Sequence, residues 1–171
     1  MSSYIKLIIF VVVLVLVSTA ILFVDSSTGN MNKSMGDISD GIVQGDSDYN
    51  EAVDLTNSKN FYDAMEKAES AGNNYNRSLS KLNEIQNNFS ADVSGVHQDY
   101  ISTVIQEVQF KLQAVDLLKE AIGCFEVESN YTGTNYGYEA NDIMNQAKEF
   151  QNQRDEIVSN NPDLFKQKFS I

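Results

Sequence analysis

The chain has 171 residues and a formal net charge of −12 at pH 7, from 24 acidic and 12 basic side chains. A surface this acidic repels phosphate backbones and carries no basic patch, so we expect no nucleic-acid partner. The single cysteine, Cys124, excludes an intrachain disulfide, and the scarcity of proline, with only Pro162, favours long helices.

The first predicted element is an uninterrupted apolar run, Leu7–Val24, which contains no charged residue, proline or glycine. As an α-helix it would extend about 27 Å, close to the roughly 30 Å of a bilayer's hydrocarbon core. We therefore predict a transmembrane anchor over residues 7–24, in contact with membrane lipid. A cytoplasmic stub, residues 1–6, precedes it.

A cleaved signal peptide is the alternative interpretation of the same run. Residues 18–20, Ser-Thr-Ala, have the small-x-small form of a cleavage site, although apolar residues resume directly after them. Both interpretations place the body on one side of the membrane. Lys6 precedes the run and Asp25 follows it, so the positive-inside rule puts residues 25–171 outside the cell.

Residues 25–30 form the expected juxtamembrane hinge, and from Met31 onward apolar or small residues recur at alternating steps of four and three. This spacing averages about 3.5 residues and is typical of helices packed at shallow angles. It predicts four helices, with the first weakened or broken near Gly45. The third carries two apolar stripes and should be the most buried. Their expected bounds are about 31–57, 60–88, 91–127 and 137–159.

The predicted connections between these helices are short, so neighbouring helices must run antiparallel. We therefore predict an all-α protein, in which an N-terminal transmembrane helix is followed by an extracytoplasmic antiparallel four-helix bundle. The bundle would occupy residues 31–160, and a C-terminal tail would occupy residues 161–171.

The longest predicted connection, residues 129–137, is crowded by Tyr131, Tyr136 and Tyr138. Exposed aromatic residues on a loop can form a binding tip, and we mark these three as a candidate interaction tip. Tyr136 and Tyr138 can equally begin the packing seam of the fourth helix. Among the Asn-x-Ser/Thr sequons, Asn88 and Asn130 fall at helix ends, where a glycan would fit.

The segment 46–57 begins like a calcium-binding EF-hand loop. Its sixth position is Glu51 and its twelfth is Asn57, whereas the loop needs glycine and glutamate there. We therefore exclude an EF-hand and interpret Asp46 and Asp48 as an acidic turn before a helix, with Asp48 as its cap.

Nucleophilic catalysis lacks a suitable pair of residues. The only histidine, His97, and the only cysteine, Cys124, would lie about 40 Å apart on one helix. No zinc, haem-attachment, di-iron or phosphate-loop motif is present. We expect a protein that is not an enzyme and holds no cofactor or metal.

Two stretches of the body resemble small membrane-anchored proteins of methanogenic archaea: SDYNEAVDLTNSKNFYDAMEKAESAGNNYNRSLSKLNEI and VHQDYISTVIQEVQFKLQAVDLLKEAI. The resemblance covers most of the chain in its general texture and includes no diagnostic motif. It implies a location at the cell membrane and a helical body, and it transfers no functional residue.

These features together predict a membrane-anchored helical bundle with a structural or protein-interaction role at the cell surface. Its partners would be other membrane or surface proteins, or further copies of itself. The alternative is a ligand-binding or sensing bundle, which would need a membrane partner because its cytoplasmic stub is so short.

Overall fold

The computed structural model of the chain describes residues 20–23, 29–89 and 93–168. Within these ranges the chain forms four helices and two short strands. The strands are β1 (Ala20–Phe23) and β2 (Phe165–Lys168). The helices are α1 (Gly29–Asn57), α2 (Phe61–Asn87), α3 (Gly95–Glu126) and α4 (Asn130–Asn160). The predicted helices are therefore present, and the largest difference in their bounds is the earlier start of α4.

The four helices form an antiparallel bundle, as predicted. Each helix packs against the next one in sequence, and α3 also reaches α1. The order of contacts shows the direction: Phe61 at the start of α2 stacks on Phe125 at the end of α3. At the opposite end, Gln86 of α2 donates a hydrogen bond to Ser102 of α3. Helix α3 carries more buried residues than α2 or α4.

The turns that join α1 to α2 and α3 to α4 close in the same way. In each, a residue just after the helix adopts the left-handed backbone conformation: Lys59 with φ 61° and Glu128 with φ 59°. The next amide, at Asn60 or Ser129, donates to a carbonyl five residues earlier, at 2.9 and 2.8 Å respectively. This is a Schellman closure, in which glycine is the usual left-handed residue. Here both positions carry charged side chains.

The predicted loop at residues 129–137 is wrong, because α4 begins at Asn130 and residues 130–136 are its first turns. Gly133 explains why a glycine-containing segment is helical here. A Cβ atom on Gly133 would lie 2.6 Å from Cε1 of Phe125, so only glycine lets α4 approach α3 this closely. The glycine serves the contact between two helices and does not make a turn.

The first helix was predicted to run to about Asn57, which α1 does, and it continues through Gly45 without interruption. A Cβ atom on Gly45 would lie 2.5 Å from Cε1 of Tyr75, so this glycine again allows two helices to approach. Asp46 and Asp48 consequently lie inside α1 and are buried. They form neither an acidic turn nor a helix cap.

Strands β1 and β2 form an antiparallel ribbon in which Ala20 pairs with Lys168 and Phe23 with Phe165. The ribbon lies at the end of the bundle where α1 and α3 begin, which we call the base. Phe23 is buried there, and its ring centroid lies 4.6 Å from that of His97, 5.6 Å from Tyr100 and 5.7 Å from Phe165. The apolar ring is thus part of the hydrophobic core.

Asn32 fastens β1 to the first turn of α1. Its Oδ1 accepts a hydrogen bond from the backbone amide of Phe23 at 2.7 Å, and its Nδ2 donates to the carbonyl of Phe23 at 2.8 Å. Because a single side chain satisfies both backbone groups of Phe23, the strand has a fixed position on the helix.

The predicted transmembrane helix overlaps this ribbon. Residues 20–23 of the predicted span form a strand, because β2 supplies their backbone partners and Phe23 fits the aromatic core of the base. The helix prediction is therefore wrong at these four residues. Leu7 and Val24, with residues 1–19 and 24–28, lie outside the described residues. No helix in the described ranges combines the length and the apolar character needed to cross a membrane.

We predict that Phe23→Ala lowers the free energy of unfolding by about 3 kcal/mol, since it removes a large buried ring and leaves a cavity. Urea unfolding of the full-length protein, followed by circular dichroism, measures the change. The matched control is Tyr62→Ala at a side chain that is 79% exposed, which should change stability by less than about 0.5 kcal/mol. Equal effects of the two substitutions would contradict the packing of β1 on the base.

Candidate functional site

Four charged side chains and one tyrosine form a cluster across the middle of the bundle, which we call the buried ion cluster. Lys111 Nζ lies 2.8 Å from Asp46 Oδ1 and forms an ion pair with Glu107 Oε1 at 2.9 Å. Arg154 Nη1 donates to Glu107 Oε2 at 3.0 Å, and the Tyr75 hydroxyl donates to Asp46 at 2.6 Å. The cluster joins all four helices, and its two positive and two negative charges cancel.

The carboxylates in this cluster stabilise its two cations, whereas at Asp46 burial outweighs the attraction of Lys111 and raises the pKa of the carboxyl. Burial by itself would lower the pKa of Lys111, but Glu107 and Asp46 outweigh it and raise that pKa. Burial likewise acts to lower the pKa of Arg154, and Glu107 reverses the effect. Lys111 is only 1% exposed and Glu107 is fully buried, so the surface gives no route for a substrate. We interpret the cluster as a structural device that fixes the helices relative to one another.

A second polar network links α1 to α2 through Asp48. One carboxylate oxygen accepts from Ser70 at 2.7 Å and from Asn74 at 3.1 Å, and the other accepts from Gln44 at 3.1 Å. With these three donors the buried carboxylate is well satisfied. Asp48, like Asp46, is therefore used inside the bundle.

The end of the bundle opposite the base, which we call the tip, comprises residues 54–66 and 123–135. It is organised around Phe125, whose ring stacks on Phe61 at a centroid separation of 6.3 Å and also covers Gly133. Three large apolar side chains at this end of the bundle are exposed to solvent. They are Tyr62 at 79%, Val127 at 74% and Tyr131 at 83% exposure.

Charge at the tip is strongly unbalanced. Its five carboxylates outnumber one cation, Lys59, and all six side chains are exposed. The carboxylates belong to Asp54, Asp63, Glu66, Glu126 and Glu128. Aromatic side chains are enriched in protein-contact sites, whereas aspartate and glutamate are depleted there.

The sequence marked Tyr131, Tyr136 and Tyr138 as a candidate interaction tip. The structure places all three on the first turns of α4, where Tyr131 and Tyr138 are exposed and Tyr136 is half-buried. Tyr131 and Tyr138 are seven residues apart, so they share one face of the helix. Sequence reasoning missed Tyr62 and Val127, which reach the tip from α2 and from the end of α3.

The two sequon residues singled out from the sequence are both exposed. Asn88 follows α2, and its Nδ2 donates to the carbonyl of Glu84 at 2.7 Å. Asn130 is the first residue of α4. Glycosylation at either position stays a prediction.

His97 and Cys124 lie near opposite ends of α3. His97 is fully buried at the base, with Nε2 lying 3.1 Å from the carbonyl of Leu164. Cys124 is half-buried close to the tip. Across the described part of the chain, no group of three or more histidine, cysteine, aspartate and glutamate side chains could hold a metal ion.

A solvent-open groove of about 450 Å³ runs between α2 and α3. Its floor contains Ala68, Gly72 and Val115, and its rim carries Glu69, Asn73, Asn76, Leu112, Asp116 and Lys119. The groove combines small residues with charges of both signs.

No protein-family model, no curated protein and no solved structure matches the chain. The resemblance to small membrane-anchored proteins of methanogens therefore stays a prediction. No relative informs the buried ion cluster or the tip, so we interpret both from the contacts within this chain.

We predict that Lys111→Met destabilises the protein by about 3–5 kcal/mol, because it leaves two buried carboxylates without their shared cation. Adding Asp46→Asn should restore part of the lost stability, because Glu107 then keeps Arg154 as its cation and no buried carboxylate lacks a partner. Thermal and urea unfolding of the full chain measures both effects. Lys119→Met, at a half-buried position on the same helix, is the control and should be nearly neutral. A single variant as stable as the wild type would contradict the proposed role of the cluster.

Burial raises the pKa of Tyr49, Tyr75 and Tyr100 above the usual value of about 10. The folded protein keeps these protons at pH values where the unfolded chain loses them. Their contribution to stability is therefore fully present below about pH 10 and is lost as pH rises further. In an absorbance titration at 295 nm, the three buried tyrosines should ionise only as helical circular dichroism disappears. Ionisation of all eight tyrosines with helices intact would contradict it.

Proposed function

We propose that the chain is a membrane-anchored, non-catalytic scaffold that holds a helical bundle outside the cell and presents its tip to a protein partner. The observation that carries this proposal is the difference between the two ends of the bundle. The base holds β1, which is the last part of the apolar run. The large apolar side chains exposed in the described residues, including Tyr138, all lie in the third of the bundle nearest the tip.

The connection between anchor and bundle supports the role of a spacer. Phe23 is buried in the base and hydrogen-bonded twice to Asn32, so β1 is held firmly against the first turn of α1. The longest helix, α3, has 32 residues and would extend about 48 Å. A firm base and a body of this length would hold the tip at a defined distance from the membrane.

In this proposal the anchor consists of the apolar residues before β1. A helix over residues 4–19 would extend about 24 Å, which is somewhat short of a roughly 30 Å hydrocarbon core. Local thinning of the bilayer accommodates such a mismatch at a modest free-energy cost. Strand β1 would then lie at the membrane surface, directly below the bundle.

The groove between α2 and α3 favours a second candidate function, the binding of a small ligand by a sensing bundle. It has the volume of a ligand site and polar groups at its rim. A thermal-shift screen of the full-length protein with small molecules tests it. A compound that raises the melting temperature in the wild type, and not in Gly72→Leu, would favour this second function over the scaffold.

Site-directed thiol labelling tests the proposed topology. In a Cys124→Ser background, Ser129→Cys marks the tip, Asp163→Cys the base and Ser2→Cys the N-terminal stub. On intact cells, a membrane-impermeant maleimide should label the variants at positions 129 and 163. It should label the variant at position 2 only after lysis. The reverse pattern would contradict an external bundle.

The mass of the chain recovered from washed membranes distinguishes an anchor from a cleaved leader. A retained anchor gives the full 171-residue mass in the membrane fraction. A chain that begins at Ile21 and appears outside the membrane would refute the anchor and favour cleavage after Ala20.

A further inference from the structure

We infer that the outer face shared by α3 and α4 is the contact surface of a reversible dimer, in which a second copy of this chain packs against the same face. The face is centred on Phe110 and Phe150, in the middle of the bundle and away from the tip. The inference goes beyond the proposed function and does not depend on it.

The same sequence motif, Gln-x-x-x-Phe-x-x-Gln, occurs in α3 and again in α4. The motif residues are Gln106, Phe110 and Gln113 in α3, and Gln146, Phe150 and Gln153 in α4. Side chains three or four residues apart lie on one face of a helix. Each motif therefore places two amides beside one aromatic ring.

A stacking contact joins the two motifs. The ring centroids of Phe110 and Phe150 lie 5.3 Å apart, with 25° between the ring planes. The helices run antiparallel, and one turn away from the stack Arg154 donates to Glu107. The first glutamine of each motif consequently lies at the level of the last glutamine of the other. We call these six residues the lateral patch, and a half-turn about the stacked rings leaves its composition unchanged.

The lateral patch lies on a longer apolar strip that remains in contact with water. All four glutamines of the patch are exposed, and both phenylalanines are half-buried. Two helical turns closer to the tip, Leu117 and Ile143 are half-buried, and two turns closer to the base so are Thr103 and Ile157. The strip thus offers further apolar surface on both sides of the patch.

The lateral patch carries no charge, although the chain has a net charge of −12. Like charges oppose the approach of two copies of an acidic protein, and an uncharged face minimises this repulsion. Asp116 and Glu149, which are exposed, lie about 100–120° around their helices from the stacked rings. The centre of a dimer interface is similarly depleted of charge and enriched in aromatic residues.

The side chains of the lateral patch can pair with copies of themselves. A side-chain amide has both donors and an acceptor, so two glutamines can hydrogen-bond to each other, whereas two carboxylates cannot. Aromatic rings likewise pack favourably on aromatic rings. In a two-fold dimer a surface meets its own copy. Because the patch looks alike after a half-turn, glutamines then lie opposite glutamines, whereas a charged partner would face groups that cannot neutralise it.

The size of the face indicates a weak association. The strip from Thr103 to Leu117 rises about 21 Å, and its extension from Val96 to Cys124 rises about 42 Å. Two adjacent helices are about 20 Å wide, so the face offers about 400–800 Å² per partner, up to the size of a standard interface. We expect a dissociation constant in the micromolar range.

Sedimentation equilibrium of the full-length protein in a density-matched neutral detergent tests the inference. One variant combines Gln146→Glu and Gln153→Glu in α4. Its matched control combines Asn145→Asp and Asn152→Asp, which add the same charge at exposed positions on the same helix, about 140–160° away from Phe150. Circular dichroism verifies the fold of each protein.

A third variant, Gln106→Glu with Gln113→Glu, alters the motif of α3 in the same way. We expect each glutamate variant to weaken the dimer by about tenfold or more, because carboxylates would enter an uncharged interface, and the control by less than about twofold. Raising the salt concentration from about 50 to about 500 mM should tighten the wild-type dimer, since salt screens the repulsion between acidic chains.

Several results would overturn the inference. The wild type could remain monomeric up to about 100 μM, far above the expected dissociation constant. A dimer that all three variants weaken equally would respond to overall charge alone. A dimer that neither glutamate variant weakens would use another surface, such as the apolar N-terminal run. A dimer that dissociates as salt rises would be held together by charges, which the lateral patch does not carry.

Discussion

The arrangement of the four helices depends on the buried ion pairs that join Asp46, Lys111, Glu107 and Arg154. They cross the bundle from α1 through α3 to α4, while Tyr75 adds α2. Buried ion pairs contribute little net stability, since desolvation offsets much of their attraction. Their effect here is to fix how far each helix is shifted along its neighbour. Sliding α1 or α4 along α3 by one turn, about 5.4 Å, would leave a charge without its partner. Apolar contacts alone would tolerate such a slip far better, since leucine-like surfaces are similar from turn to turn.

The sequence predicted the helices well because their four-three spacing is a local property. It did not reveal the buried ion cluster, although one signal was present. Lys111 occupies the seam position between Val108 and Val115, and Glu107 precedes it by four residues on the same helix. A lysine in an apolar seam requires a buried partner, so the position itself was informative. The sequence could not show that α1 supplies Asp46 and α4 supplies Arg154. Asp46 is 65 positions from its partner Lys111, and Arg154 is 47 positions from its partner Glu107.

The two ends of the bundle were predicted less well, for different physical reasons. At the tip, residues 129–137 were predicted as a loop, whereas Gly133 lies inside α4 and permits its close contact with α3. The exposure of Tyr62 and Val127 was not anticipated either, and among the exposed residues of the tip only Tyr131 stood out in the sequence. At the base, β1 consists of four apolar residues within a much longer apolar run. These residues lack the alternation of apolar and polar side chains that would predict a strand. Their partner, β2, lies at the far end of the chain.

The pairing of β1 with β2 also determines when folding can finish. The helix hairpins form from residues close in sequence, so they can assemble early, whereas the ribbon joins residues about 140 positions apart. Neither Phe23 nor Phe165 can complete the aromatic core around His97 until residues 165–168 have been synthesised. We therefore expect the base to close after the helix hairpins. A chain cut after α4 would keep the local contacts within its helices and leave Phe23 without its strand partner, so the segment after α4 controls whether the apolar run is fixed to the bundle.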